Sequence, residues 1–331
     1  MSPIANWQQR QLSDGKTKMF VSPRQALLFG LDYLGAQSTR WSEATRAKEF
    51  HVHYGSSPLD VADIWFDLVA GDNLPDDLKL GEKERTQKGF KRYMMAHFWL
   101  WVYPKNSSLL ASRFKCAERT CRGESIWVWV KRIAALKAKK ILWENVADEN
   151  HMEIFAVAVD GTDFKLNEWK HPTLPRDRTG CSHKFRHAAA KYEIAIAVQR
   201  AKVVHIAGPF KGGTNDLQMF RIGGLKQKLE ALNNQTVRGV RRVKLSLADR
   251  GYCDKKEEHL FSWPNEFDSK ALYNFKSRGR LRLETFNGRL KLFNSLSETF
   301  RHGFDKHQFV FEAVVVIVQY QMDNGSPVYS T

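Results

Sequence analysis

The chain has 331 residues, 43% of them apolar and 27% charged, which excludes an intrinsically disordered protein and leaves room for about two packed domains. Lys and Arg outnumber Asp and Glu by 52 to 36, a net charge of +16, and a surplus of that size points to a polyanionic partner, nucleic acid first. Cys116, Cys121, Cys181 and Cys253 form no CxxC pair and no zinc-finger spacing, so reduced thiols and an intracellular, soluble protein are expected. The first residues, MSPIANWQQRQLSDGK, hold no apolar signal core, and the longest apolar run, AVVVIVQY at 313–320, is too short to span a bilayer.

Residues 1–48 are polar and weakly patterned, which predicts a partly ordered helical arm. Residues 49–150 are rich in Trp, Leu and Ala at helical spacing and predict an all-helical region. Two stretches in it read as helix-turn-helix units. In FHVHYGSSPLDVADIWFDL (50–68), Gly55 gives a turn, Ser57 can cap, and Pro58 suits the first helical position. Val61, Ile64, Trp65 and Leu68 then mark one apolar face. In SLLASRFKCAERTCRGESIWVWVKRI (108–133), Ala111 suits a close helix crossing, and Arg113, Lys115, Arg119 and Arg122 cluster around the turn and the second helix. A helix of that kind can lie in a major groove with its basic residues on phosphates or base edges. The competing reading for both units is an amphipathic bundle that only packs; for the Trp-rich IWVWV (126–130) core packing is the stronger expectation.

From about 151 the pattern changes. FAVAVD (155–160), YEIAIAVQ (192–199), KVVHIAGPF (202–210) and VKLSLAD (243–249) are short β-branched runs separated by turn or helix signals, so 151–331 reads as a mixed α/β domain around a buried sheet. After 270 the helical pattern returns in RLRLETFNGRLKLFNSL and QFVFEAVVVIVQYQM.

The first and last of the strand runs end on acids, Asp160 and Asp249. A third acid, Glu284, lies beside the stripe Leu283, Phe286, Leu290 and Phe293. A carboxylate at the end of a buried strand is costly unless something pairs with it, and a divalent ion is a natural partner. Three acids from two strands and a helix can hold two such ions, enough to activate a water or a DNA 3′-hydroxyl and to stabilise the leaving oxygen at phosphorus. Gly161 is expected to turn the chain away from the ion. Around Glu284, Arg278, Arg280, Arg282, Arg289 and Lys291 are candidates for phosphate contacts that balance the acids.

DGTD (160–163), GPFKGGTNDLQMFR (208–221), ADRGY (248–252), ETFNGRLKLF (284–293) and FRHGFDKHQFVFEAVVVIVQYQMDNGSP (300–327) resemble the Harbinger-type branch of the DDE transposases, in particular its algal and oomycete members. The resemblance covers residues 150–327 most strongly. It implies a ribonuclease H-like catalytic domain behind the helix-turn-helix region, two Mg²⁺ or Mn²⁺ ions, and cut-and-paste transposition of double-stranded DNA; a location in the nucleus is expected beside it, with KAKK (137–140) and RGVRR (238–242) as basic runs that could serve import. On the family's pattern the catalytic and metal-binding triad is Asp160, Asp249 and Glu284, with Asp216 an accessory acid. A homo-oligomer and a separate Myb-like DNA-binding helper are further implications. Where members carry His three residues after the first acid and His just before the accessory one, this chain has Asp163 and Asn215. The alternative is therefore a domesticated, catalytically inactive DNA-binding protein that retains the fold.

Overall fold

The computed structural model describes residues 20–36, 38, 40–121, 124–146, 154–167, 178–234, 236–237, 240–241, 244–252, 254 and 256–328. Residues 1–19, Arg122 and Cys253 lie outside these, so the expectations placed on them are not carried further. The chain divides into two compact units. One comprises Met1–Lys139, Leu292–Ser295 and Phe309–Ser326; the other comprises Lys140–Lys291, Leu296–Gln308 and Pro327–Thr331. The division falls earlier than the expected boundary near 150, and the apolar C-terminal segment goes with the helical unit rather than with the α/β domain.

The helical unit is built from α1 (Pro23–Tyr33), α2 (Glu43–Tyr54), α3 (Pro58–Ala70), α4 (Gln87–Val102), α5 (Ser107–Arg113), α6 (Glu118–Cys121) and α7 (Glu124–Ala135), followed by the short α8 (Lys137–Lys140). The capping signals act locally. Gly55 ends α2 at φ 64°, and Ser57 and Asp60 form a reciprocal capping box with Pro58 in the first turn of α3. Described residues of the expected N-terminal arm are core: Val21, Ala26 and Leu31 are fully buried, so α1 is part of the bundle. The residues of α3 are all buried or half-buried. Val61, Ile64, Trp65 and Leu68 are fully buried, as their shared apolar face predicts, and with no residue of α3 exposed the packing alternative is favoured over a helix that enters a groove.

In the second stretch Arg113, Lys115 and Arg119 are exposed. They sit on the end of α5, on the connection and on the single turn α6, not along a long second helix. The long helix α7 commits Trp127, Trp129, Val130 and Ile133 to the core, with Trp129 6.0 Å from the Trp65 ring. The late helix α13 (Phe304–Asp323) is buried all round from Val310 to Tyr320, as a core helix is. Tyr320 Oη donates to Asp67 on α3, and Lys139 pairs with the same carboxylate at 2.7 Å.

His97 on α4 is fully buried, with Nε2 3.0 Å from Ser56 Oγ, and burial lowers its pKa to about 4. It is neutral when folded and gains a proton more readily when unfolded. Stability from this group is therefore full above about pH 6.5 and falls by about 1.4 kcal/mol per pH unit below it, down to the folded pKa. Relative to a His97→Gln variant, the wild type is expected to lose about 2 kcal/mol between pH 7 and pH 5 in urea unfolding.

The second unit is mixed α/β. Its strands are β1 (Phe155–Lys165), β2 (Cys181–Ser182), β3 (His187–Ala197), β4 (Val203–Lys211), β5 (Thr236–Val237), β6 (Val240–Arg241), β7 (Leu245–Leu247) and β8 (Phe261–Ser262). Its helices are α9 (Asp216–Ile222), α10 (Leu225–Asn233), α11 (Lys270–Leu290) and the short α12 (Asn294–Ser297), which overlaps the division. The main sheet runs β4–β3–β1–β7–β8, with β2 also on β3; β5 and β6 pair separately. β1, β3 and β4 pair antiparallel, while β7 pairs parallel to β1 and β8 parallel to β7. Val157 and Val159 pack with Phe220 of α9 and Leu225 and Leu229 of α10 on one face. Among the described residues no helix is long and apolar enough to cross a membrane.

Candidate active site

The strand that carries Asp160 does not end there. β1 pairs with β3 from Val157↔Ala197 to Lys165↔Ala189, so DGTD lies inside a continuous ladder. On its other side the parallel pairing with β7 stops at Ala158↔Leu247. Asp160 therefore stands just past the end of β7, with a strand on one side only. Its side chain, out of step with Val157 and Val159, meets α11: Asn287 Nδ2 donates to Asp160 Oδ2 at 3.1 Å, and the Gly161 N–H donates to Oδ1 at 2.8 Å.

Gly161 does not turn the chain, and that expectation is corrected. It clears a path for α9. A Cβ there would lie 2.5 Å from Asp216 Oδ1 and 2.8 Å from Met219 Cε. Met219 is fully buried and has little room to give. Gly161→Ala is expected to cost about 1–3 kcal/mol in thermal unfolding through overpacking, and to displace Asp216.

Asp249 follows β7 by two residues and accepts from the Gly251 N–H at 2.8 Å within the short 3₁₀ turn Arg250–Tyr252. A Cβ on Gly251 would lie 2.9 Å from Asp249 Oδ1 and 3.0 Å from Asp216 Oδ2, so a small residue lets these two carboxylates approach. Asp216 is the first residue of α9, capped by Asn215, whose Oδ1 accepts from Gln218 N at 2.7 Å. Lys191 Nζ lies 2.8 Å from Asp216 Oδ1 and donates to Thr214 O at 3.0 Å. Glu284 is an exposed residue of α11.

Asp160, Asp216, Asp249 and Glu284 all line one cavity of about 530 Å³. Asp163, His183, Lys184, Lys191, Asn287, Gly288 and Lys291 share its wall. Burial, then Asp249 and Asp216, raise the Asp160 pKa to about 6, while the Gly161 N–H and Arg280 oppose the shift. Among the described residues no group of three or more His, Cys, Asp or Glu side chains stands close enough to hold one ion as a closed set. The residues that could hold a hard cation together with water and substrate oxygens are the carboxylates bordering this open space, of which Asp249 and Asp216 repel Asp160.

The basic residues divide. Arg282 is 2% exposed and donates to the Val198 and Ala197 carbonyls at the end of β3, so it cannot reach a phosphate, and its expected role is corrected. Arg289 is half-buried and donates to Pro327 O at 2.9 Å. Arg278 is exposed. Arg280 is half-buried, one turn before Glu284, and close enough to act on Asp160. Lys291 lines the cavity, its pKa lowered by burial first and then by Lys184. Alternation along 278–282 suggests a common face only on a strand; on α11 it splits the three arginines.

Sequence reasoning missed Lys184, Lys191 and Asn287. Lys191, a charge inside the strand-like HAAAKYEIAIA, and Asn287, one turn after Glu284, were the available signals. It also missed Glu193, fully buried on β3 opposite Gly161. His205 Nε2 is 3.6 Å from Glu193 Oε2, beyond a hydrogen bond. Burial holds both neutral, with Glu193 raised to about 8 and His205 lowered to about 3. The two Asp/Asn departures have local partners: Ser182 Oγ donates to Asp163, and Asn215 is a helix cap.

No family model matches the chain, and no curated protein does. Among solved structures, the crystal structure of a pre-cleavage Mos1 transpososome aligns over 92% of this chain and 98% of that chain, at 10% identity and a TM-score of 0.20. A score that low does not establish a common fold.

Proposed function

We propose that this chain is a metal-dependent DNA endonuclease of the DDE type, hydrolysing phosphodiesters and transferring strands at transposon ends. The observation that carries the reading is the convergence of Asp160, Asp249 and Glu284, from β1, the end of β7 and α11, on one cavity walled by lysines. The sheet supports a ribonuclease H-like domain: three antiparallel strands, then two parallel ones, with the acids at the central strand and its parallel neighbour. Asp160, Asp249 and Glu284 would hold Mg²⁺ or Mn²⁺, with Asp216 joining only if Lys191 yields it.

When bound, such ions supply a nucleophilic oxygen at neutral pH and charge stabilisation at phosphorus. The chain's own residues do the rest. Asn287 and the Gly161 N–H fix the Asp160 carboxylate, so no reorganisation is needed when substrate arrives. Lys184, Lys191 and Lys291 border the same space and can bind the phosphate oxygens on either side of the scissile bond. Arg113, Lys115 and Arg119 are exposed candidates for the flanking duplex. A nuclear location, a homo-oligomer around paired ends and a Myb-like helper belong to the same proposal.

A plasmid-nicking assay tests it. The full chain with Mn²⁺ is expected to nick supercoiled DNA, and EDTA or Glu284→Gln is expected to abolish nicking while filter binding of DNA persists. DNA binding without nicking under any divalent ion would favour the inactive, domesticated reading, which Asp163, Asn215 and the Lys191–Asp216 pair already motivate.

A further inference from the structure

A second cavity, of about 570 Å³, is lined by Arg250, Trp263, Pro264, Asn265, Glu266, Phe267 and Tyr273. Phe267 is 90% exposed and Tyr273 47%. The loop that carries Phe267 is nonetheless fixed. Phe267 N donates to Asn265 Oδ1 at 2.9 Å, and Asn265 N donates to Asp268 Oδ2 at 3.0 Å. Beneath it Lys276 Nζ bonds Asp268 Oδ1 at 2.7 Å, both side chains almost wholly buried, and also reaches Trp263 O at 3.3 Å. A buried ion pair thus anchors the loop whose tip presents the uncovered Phe267 ring beside the cavity.

Two connections link this cavity to the acids. Arg250 is the residue after Asp249. On α11, Tyr273, Arg280, Glu284 and Asn287, followed by Lys291 at its C-cap, recur at intervals of three, four or seven and share one face. From Tyr273 to Glu284 is 284 − 273 = 11 residues, about 16 Å of helix at ~1.5 Å per residue. At ~3.4 Å per nucleotide along one strand, that is about five nucleotides.

We propose that this cavity holds one unpaired nucleobase of the DNA strand whose phosphate lies among the acids. The base stacks on Phe267 and Tyr273, Arg250 and Arg280 meet the intervening phosphates, and Glu266 accepts from an exocyclic amino group. The combination of π-faces with arginines on the side of the scissile site matches a nucleotide; an apolar peptide would use the rings and leave the arginines idle. The proposal rests on the nuclease reading for its direction along the strand, and its test separates the two.

The full chain is titrated with a short fluorescein-labelled single-stranded oligodeoxynucleotide and with the corresponding duplex, for wild type, Phe267→Ala and Tyr273→Ala. Both aromatic residues are exposed, so unchanged melting temperatures are expected. Each substitution is expected to weaken single-strand binding by roughly 5- to 150-fold and duplex binding much less. A fluorescent purine analogue walked along the strand is expected to be quenched at one position. Single-strand affinity within about twofold of wild type in both folded variants overturns the proposal, and leaves the pocket for a protein segment. If the wild type fails to nick DNA yet Phe267→Ala weakens single-strand binding, the nuclease reading falls and the pocket stands. If nicking is robust and both variants bind and nick as the wild type does, the pocket falls and the nuclease stands.

Discussion

Replacing Asp160 by Asn is expected to stabilise the metal-free protein at neutral and basic pH while removing its metal-dependent cleavage. Asp160 is half-buried on β1 against α11, and desolvation first, then repulsion from Asp249 and Asp216, raises its pKa from 3.8 to about 6. The sign follows from linkage. An acid whose folded pKa is raised contributes stability below its unfolded pKa, and that stability is lost as pH rises through the folded value. By pH 8 the loss is at most about 3 kcal/mol. Asn carries no charge to repel, and the site can accept it. Its Oδ1 takes the Gly161 N–H, and its Nδ2 meets Asn287, whose own Oδ1 is buried without a partner and becomes the acceptor if that amide turns over. The variant is therefore expected to melt higher than wild type at pH 8 and close to it near pH 4. Its nicking rate is expected to fall by on the order of a thousandfold, the equivalent of about 4 kcal/mol in transition-state stabilisation. Equal melting at pH 8, or retained nicking, contradicts this assignment of Asp160.

Arg282→Ala is expected to be among the most destabilising substitutions in the second unit, about 3 kcal/mol or more by urea unfolding. The guanidinium is buried and serves the Ala197 and Val198 carbonyls where β3 ends. Truncation leaves acceptors without their donor and opens a cavity beneath α11. Arg282→Lys, which cannot present a planar fork, is expected to recover only part of the loss. Arg278→Ala and Arg280→Ala are expected to behave oppositely, with stability nearly unchanged and DNA affinity lowered in a salt-dependent way. Equal stability losses at 280 and 282 would show that the two arginines do not divide as their burial implies.

That division explains what the sequence could and could not disclose. Local signals were readable because they act within a few residues: the Ser57–Asp60 capping box, the Gly55 stop, the stripe of Leu283, Phe286 and Leu290 on α11. All three acids border one cavity: Asp249 just past a strand end and Glu284 on a helix face are legible without their partners, whereas Asp160, which reads as a strand end, lies inside a continuing ladder. What depends on a partner was hidden. β1 runs on through Gly161 to Lys165 because β3 supplies ladder bonds along its whole length, and nothing in AVAVDGTD announces that neighbour. Gly161 itself is explained by α9 from across the sheet, not by a turn. α3 has the look of a recognition helix, but whether its polar side meets water is decided by Asn324 bonding Asp60 and Asp63, residues more than two hundred and fifty positions away in the chain. Arg282 reads as basic surface until its helix is seated on the end of β3.

The central claim is that Asp160, Asp249 and Glu284 each supply a ligand to a divalent cation bound in their common cavity, with water and substrate oxygens completing its coordination, and calorimetric titration of the full chain with Mn²⁺ tests it most directly. Saturable binding to the wild type is predicted, lost or weakened at least about tenfold in Asp160→Asn, Asp249→Asn and Glu284→Gln alike, since each removes a ligand from a shared site. Mn²⁺ affinity unchanged in all three folded variants would contradict the account.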